Sequence, residues 1–241
     1  MKSGKDNLYS STEASCGSFV FDQRVASVFA DMISRSVPGY QQILHMLPTI
    51  SKQFEVQGAN YYDLGCSLGA GLLAISQGLR KNTASLIGID NSKAMIERAR
   101  SNLSTCHQNI ELREENLSDT SLNNAAMVLM NFTLQFIPLA ERVNLIRKIF
   151  DGMIDGGVLI LSEKICFEDE ATHGLLTRLH HQYKSDQGYS ELEISRKRDA
   201  IDQVLIPETL EQHVDRLKTC GFKVVTPWVQ NLQFVSLLAI K

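Results

Sequence analysis

The residues that could do chemistry begin at Tyr62-Asp63-Leu64-Gly65-Cys66-Ser67-Leu68-Gly69-Ala70-Gly71. Small residues spaced this closely let backbone N–H groups approach a ligand that larger side chains would exclude. Close packing of a helix on a strand would use the same residues, so the turn alone says little. Asp90 raises its value by ending the next apolar run, Ile87-Gly88-Ile89-Asp90-Asn91-Ser92. An acidic side chain at that place can accept both hydroxyl hydrogens of a ribose. The alternative role for Asp90 is to cap the following helix beside Asn91 and Ser92. A dinucleotide fingerprint is excluded, because Ser67 stands where G-x-G-x-x-G needs its second glycine and the third arrives early.

Other reactive side chains have simpler readings. Cys66 lies inside the turn, but no His or acid is paired with it in sequence, so its small size explains it better than nucleophilic chemistry. His180 and His181 fall about 100° apart on a predicted helix and cannot both ligate one metal, which leaves packing and surface roles. Arg196-Lys197-Arg198, taken alone, reads as a solvated helix face. Cys16, Cys66, Cys106, Cys166 and Cys220 are odd in number, widely spaced and without a C-x-x-C pair. They predict reduced thiols, with neither a disulfide framework nor a zinc site. No cluster has metal-ligand spacing, so no metal is expected.

The elements that must position these residues are legible from about Ala59 onward, where short apolar runs alternate with helical periodicity. The predicted strands are Tyr61–Leu64, Leu86–Ile89, Ile110–Arg113, Met127–Met130, Val158–Leu161, Phe222–Val225 and Phe234–Ile240. Met95, Ala99 and Leu103 share one helical face; Pro138 opens a helix with Val143, Ile146 and Phe150 inward and Gly152 as its C-cap. Leu210, Val214 and Leu217 repeat the pattern after Pro207 and stop at Gly221. Thr226 to Gln233 is too short for a crossover, so the last two strands must run antiparallel. The expected fold is α/β: a Rossmann-like, seven-stranded, mostly parallel sheet with an antiparallel last strand, an N-terminal helical cap and a helical insertion after strand 5. The expected divisions are a cap over 1–58, a core over 59–162, the insertion over 163–205, and a helix and strands completing the core over 206–241. Cap and insertion border the ligand crevice of such a sheet.

Composition agrees. With 241 residues, 44% hydrophobic and 21% charged, the chain can build a large core and is no disordered or coiled-coil sequence. A net charge of −3 gives no electrostatic reason to expect direct nucleic-acid or membrane-surface binding. The polar stretch Met1 to Glu13 lacks a signal peptide's apolar region, and no apolar run approaches the roughly 20 residues of a membrane span, so a cytoplasmic protein is expected.

D-x-G-C-S-x-G at residues 63–69, with the short antiparallel strand at the C-terminus, is similar to the first motif and sheet of the class I S-adenosylmethionine-dependent methyltransferases. A narrower likeness runs nearly end to end. Ser36-Val37-Pro38-Gly39-Tyr40, Tyr62 to Ser67, Asn131-Phe132-Thr133-Leu134-Gln135-Phe136, Leu161-Ser162-Glu163-Lys164, His180-His181-Gln182-Tyr183-Lys184, Gly188-Tyr189-Ser190-Glu191-Leu192-Glu193 and Lys197-Arg198 resemble the bacterial carboxy-S-adenosyl-L-methionine synthase family. It includes the insertion, which generic methyltransferases do not share.

That resemblance implies an enzyme that moves the carboxyl group lost from prephenate onto the methyl carbon of S-adenosylmethionine, releasing phenylpyruvate and water. It implies deprotonation of the methyl group with the substrate's leaving hydroxyl as base, which suits a sequence without a visible Ser/His/Asp or carboxylate pair. The carboxylated product would serve a tRNA carboxymethyltransferase acting on the wobble uridine, and a homodimer is implied. The family's ligand contacts fall on Tyr40, the turn Gly65-Cys66-Ser67, Asp90, Asn91, Asn116, Leu117, Asn131 and Arg198. The turn would pack against the methionine part, Asp90 hold the ribose, and Asn116 and Leu117 flank the adenine. Tyr40 and Asn131 would lie near the sulfonium, with Arg198 forked onto the added carboxylate. Relatives can carry Asp where this chain has Asn116 and Arg where Leu68 stands, so the adenine amino contact stays open and Leu68 is no charge anchor. Two other classes remain. An ordinary methyltransferase would yield homocysteine product, and a non-catalytic protein delivering cofactor to a partner would not turn over prephenate.

Overall fold

A computed structural model describes residues 4–9, 19–81, 83–201 and 204–241. Cys16 and parts of the predicted cap lie outside the described residues. The strands are β1 (Asn60–Leu64), β2 (Ser85–Asp90), β3 (Asn109–Glu114), β4 (Ala125–Asn131), β5 (Met153–Lys164), β6 (Val224–Asn231) and β7 (Phe234–Ile240). They form one sheet in the order β3-β2-β1-β4-β5-β7-β6, parallel except that β7 runs antiparallel to both its neighbours. β4 and most of β5 are buried on both faces, as nearly continuous Ala, Met, Val, Leu and Ile require. One face packs on α5 (Leu139–Gly152) and α8 (Leu210–Thr219). The other packs on α2 (Tyr40–Gln53), α3 (Ala70–Gly78) and α4 (Lys93–Leu103). Over the carboxyl ends lie α1 (Gln23–Ser36), α6 (Glu170–Asp186) and α7 (Glu191–Ile201).

Three local expectations need correction. The sixth strand starts at Val224, not Phe222, and continues to Asn231 through Pro227 and Trp228, leaving only Leu232 and Gln233 as the turn into β7. Proline is tolerated because β6 is the sheet edge and the register shifts between Pro227 and Val229. Trp228, the chain's one tryptophan, packs against the cluster of Tyr40, Ile43, Phe132, Val229 and Phe234. In α5 the inward position is Arg142, fully buried, while Val143 is 47% exposed. The Arg142 guanidinium donates to the carbonyls of Gln135, Ile137 and Ile206 and pairs with Glu208, which an apolar side chain cannot do. Gly152 is no left-handed cap; it is the last helical residue, and glycine is needed there because a Cβ would sit 2.6 Å from the Leu122 carbonyl oxygen.

The Arg142 contacts also fix the insertion. Ile206 N donates to the Gln135 carbonyl (2.9 Å) and Cys166 N to the Glu208 carbonyl (3.1 Å), so the segment leaves and returns at one point beside the end of β5.

Candidate functional site

The carboxyl ends of β1, β2 and β4 meet where the strand order reverses, and a cavity of about 1160 Å³ opens there. Tyr40, Gly65, Cys66, Ser67, Asp90, Asn91, Asn116, Leu117, Asn131 and Arg198 all line it. Residues from four elements and three loops thus converge on one space.

The turn after β1 is tighter than its glycines alone require. Gly65 and Gly69 have φ of +80° and +81°, and Ser67 takes +46°, a conformation that L side chains seldom adopt. Gly65 N and Cys66 N donate to the Ile89 carbonyl (2.8 and 3.0 Å), and Ser67 N donates to Asp90 Oδ2 (2.9 Å). These N–H groups are therefore spent within the protein, contrary to the expectation that they face a ligand. What the small residues of the turn provide is close packing instead. A Cβ at Gly65 would lie 2.3 Å from Thr133 Oγ1, and one at Gly71 2.4 Å from Asp63 Oδ2.

Asp90 does not cap α4; Ser92 does, accepting from Met95 N. Asp90 accepts instead from Ser67 N and Ser92 N, one amide on each carboxylate oxygen, and each oxygen keeps capacity for a further donor. Its carboxyl is pushed up from the usual range by burial, against the pull of the two amides. Beside it, Asn91 Nδ2 donates to Asn116 Oδ1 (3.2 Å), so the side-chain oxygen of Asn116 is engaged by a neighbour.

Sequence reasoning quoted Asp63 within the motif and gave it no role. It is fully buried, lines the cavity, and is pushed up to about 7, first by burial and then by the charge of Asp90. A carboxylate between Tyr62 and Leu64, in the buried part of the strand NYYDL, was the available signal. The Tyr40 phenol is likewise raised, by burial and then by Asp63, and stays neutral. The Cys66 thiol is raised far by burial, which removes it as a thiolate nucleophile.

The loop after β4 brings the next contacts. Asn131 Oδ1 is buried and has no hydrogen-bond partner among the described residues. Phe132 follows with φ of +61°, and Glu163 accepts from Leu134 N and Gln135 N (2.9 Å each), holding the short 3₁₀ turn Leu134–Phe136. Burial pushes Glu163 up to about 8.

From the insertion, α6 and α7 add the cavity's basic side. Lys197 is buried and bonds to Asp6 and Ser36 (3.3 and 2.9 Å), and Tyr189 donates to the same Asp6 carboxylate (2.6 Å). That ties α7 to α1 and the N-terminal segment. Arg198, next in sequence, lies at the exposed rim with its guanidinium 3.2 Å from Asp199. Lys164, His173, His180, His181 and Lys184 also line this side and were not expected as site residues. Their signal was the helical spacing of His180 and Lys184 in a motif noted only for its resemblance. His180 is buried, bonds to the Ser36 carbonyl (2.8 Å), and is pushed down to about 3 by burial and then by Lys184. Among the described residues, no group of three or more His, Cys, Asp and Glu side chains could hold a metal ion, and no helix is long and apolar enough to cross a membrane.

The site fits an adenosyl sulfonium ligand by its own features: a turn that excludes side chains, a carboxylate with spare acceptor capacity, and an orphaned buried amide oxygen. Comparison with known proteins agrees. The family described as "Methyltransferase domain" matches residues 62–157. The carboxy-S-adenosyl-L-methionine synthase of Marinobacter nauticus is 49% identical over 98% of this chain and 95% of its own length. That of Hahella chejuensis is 47% identical with both chains fully covered. Human N-acetylserotonin methyltransferase, solved with its S-adenosylmethionine ligand, superposes with a TM-score of 0.62 at 17% identity, covering 91% of this chain and 55% of that one. An O-methyltransferase family protein from Burkholderia thailandensis gives 0.62 at 16% identity, covering 92% and 60%. These two likenesses speak for the fold, whereas near-complete coverage at almost half identity speaks for the whole chain, insertion included. The chain belongs to the carboxy-S-adenosyl-L-methionine synthase family of enzymes.

Proposed function

We propose that the enzyme converts S-adenosyl-L-methionine and prephenate to carboxy-S-adenosyl-L-methionine, phenylpyruvate and water, and that the product supplies a tRNA carboxymethyltransferase acting on the wobble uridine. The observation that supports this most is the full-length likeness to synthases of that name, including an insertion whose helices wall the cavity. S-adenosylmethionine supplies the methyl carbon that receives the carboxyl group.

The chain's residues bind and orient. Asp90 accepts the ribose hydroxyls with the oxygen lone pairs that Ser67 and Ser92 leave over. Gly65 to Ser67 give room to the methionine part, Asn91, Asn116 and Leu117 border the adenine, and the neutral Tyr40 and Asn131 stand near the sulfonium. Arg198 leaves its weak contact with Asp199 to fork onto the transferred carboxylate, which suits guanidinium geometry. No side chain is assigned as the proton acceptor.

In this reading residues 1–58 cap the core of 59–162 and 206–241, and 163–205 serve as a lid and dimer contact. Leu175, Leu179 and Leu192 on α6 and α7 are 49%, 45% and 49% exposed, which supports a homodimer. Incubation with S-adenosylmethionine and prephenate, followed by mass spectrometry, tests the function. Carboxylated product is expected, and it should still form after exhaustive chelation. S-adenosylhomocysteine as the only new species would favour methyl transfer, and unchanged substrates a delivery role.

A further inference from the structure

The cavity is divided by charge. Among its lining acids, Asp63, Asp90 and Glu115 stand at the ends of β1, β2 and β3, with Glu141 apart on α5. Its lysines and arginine come from the end of β5 and from the insertion: Lys164, Lys184, Lys197 and Arg198. The acidic half suits a ligand with cationic centres. The basic half needs a different, anionic occupant.

Two of these cations have other assignments already, Lys197 to Asp6 and Arg198 to the transferred carboxyl. The proposed function gives Lys164 and Lys184 no role, yet the fold brings both to one side of the cavity. Lys164 stands opposite Phe234 in the β5–β7 register. Phe234 packs edge-on against His180, with ring centroids 4.9 Å apart. Lys184 lies one helical turn beyond His180 on the same face of α6. The two lysines therefore flank the His180–Phe234 pair, and their fields, with that of His181, reinforce burial in keeping His180 neutral. Phe234 continues into an aromatic wall, with Phe132 at 6.0 Å and Tyr40 at 6.5 Å beyond it. Cations beside an aromatic wall fit a ring that bears a carboxylate.

Prephenate loses one carboxyl group while phenylpyruvate keeps one, so the substrate arrives with two. Arg198 accounts for the first. We propose that Lys164 and Lys184, with His181 beside them, anchor the carboxylate that the substrate keeps, and that the wall of Tyr40, Phe132 and Phe234 receives its ring. This rests on the synthase reading for the identity of the substrate. It makes the second-substrate subsite a product of the insertion and of the β5–β7 pair, separate from the glycine turn.

Phenylpyruvate, the product that retains this carboxylate, is the probe. Calorimetry on the full chain saturated with S-adenosylhomocysteine should show that Lys164→Gln and Lys184→Gln each weaken phenylpyruvate by about tenfold or more, as expected for a charge-assisted contact. S-adenosylhomocysteine affinity should shift by less than about twofold, and Lys184→Arg should recover part of the loss. Phenylacetone, the same ring and carbonyl without the carboxylate, should bind weakly and equally to all variants. The KM for prephenate should rise in parallel. Lys164 is only half-buried, so Lys164→Gln decides the matter if Lys184→Gln unfolds. Unchanged phenylpyruvate affinity in Lys164→Gln, or an equal loss for phenylacetone, overturns the proposal even if the enzyme makes carboxylated product. Failure of wild type to carboxylate S-adenosylmethionine overturns the synthase reading instead, and the calorimetry still decides the anion subsite.

Discussion

At the scale of residues, the proposed function separates binding, given to Asp90, from specificity, given to Arg198. Asp90 braces the turn by accepting from Ser67 N and Ser92 N, and in the proposed function it also receives a ribose. Asp90→Ala removes both, so S-adenosylmethionine should bind at least about tenfold more weakly, while circular dichroism reports an intact fold. Unaltered affinity by calorimetry would mean that the turn holds something else. Among the described residues the Arg198 guanidinium bonds to Asp199 alone, and it is exposed, so its loss should leave stability within about 0.5 kcal/mol. Its effect should appear in preference. Arg198→Ala should cut the advantage of carboxy-S-adenosylmethionine over S-adenosylmethionine by about 30-fold, with Arg198→Lys recovering only part. Equal weakening of both ligands would assign Arg198 a structural role. The carboxylates were the hardest residues to read from sequence. Asp63 and Glu163 differ from surface acids only in being buried, and burial depends on neighbours far along the chain.

At the scale of elements, the strands and their order of appearance were plain in the sequence because apolar runs alternate with helical periodicity at every step. Errors arose where a single residue overrode the pattern. The sixth strand was expected to end at Val225, yet it runs on to Asn231 because Pro227 is tolerated on an edge. Val143 fitted an inward stripe, yet the inward place went to Arg142, because only a guanidinium could serve the carbonyls and carboxylate gathered where the insertion returns. That buried pair is an element-level anchor. Arg142→Ala should destabilise the chain by about 3–5 kcal/mol in urea titrations, since it strands several carbonyls and half of the charge balance at Glu208. Arg142→Lys should rescue little, for one ammonium cannot span the same acceptors. A change near zero would mean that Arg216, which also bonds Glu208, holds the insertion alone.

At the scale of the whole molecule, buried titratable groups set the pH range of stability. Asp63 and Glu163 hold protons in the folded state up to about 7 and about 8, but release them near 3.8 and 4.5 when unfolded. Their contribution is full below the unfolded values and is lost as pH rises through the folded ones. His180 and His213 go the other way: depressed to about 3 and about 4 from 6.5, they contribute above 6.5 and lose that contribution as pH falls. The two slopes offset each other between about pH 4.5 and 6.5, so the urea midpoint should be level there and decline towards pH 8. Glu163→Gln should flatten the decline; an unaltered slope would place the responsible proton elsewhere. Assembly is a second property of the whole. Light scattering at micromolar concentration should give a dimer, and Leu175→Glu with Leu179→Glu a monomer.

The edge strand has an optical consequence. Trp228 is the single indole in the chain, and it packs against the cluster of Tyr40, Ile43, Phe132, Val229 and Phe234, three of whose rings also line the cavity. Indole fluorescence therefore comes from one reporter packed against the cluster that walls the cavity. Emission should shift when a ring-bearing carboxylate binds and respond less to ligands confined to the glycine turn, so occupancy of the two halves can be followed separately in an unlabelled protein.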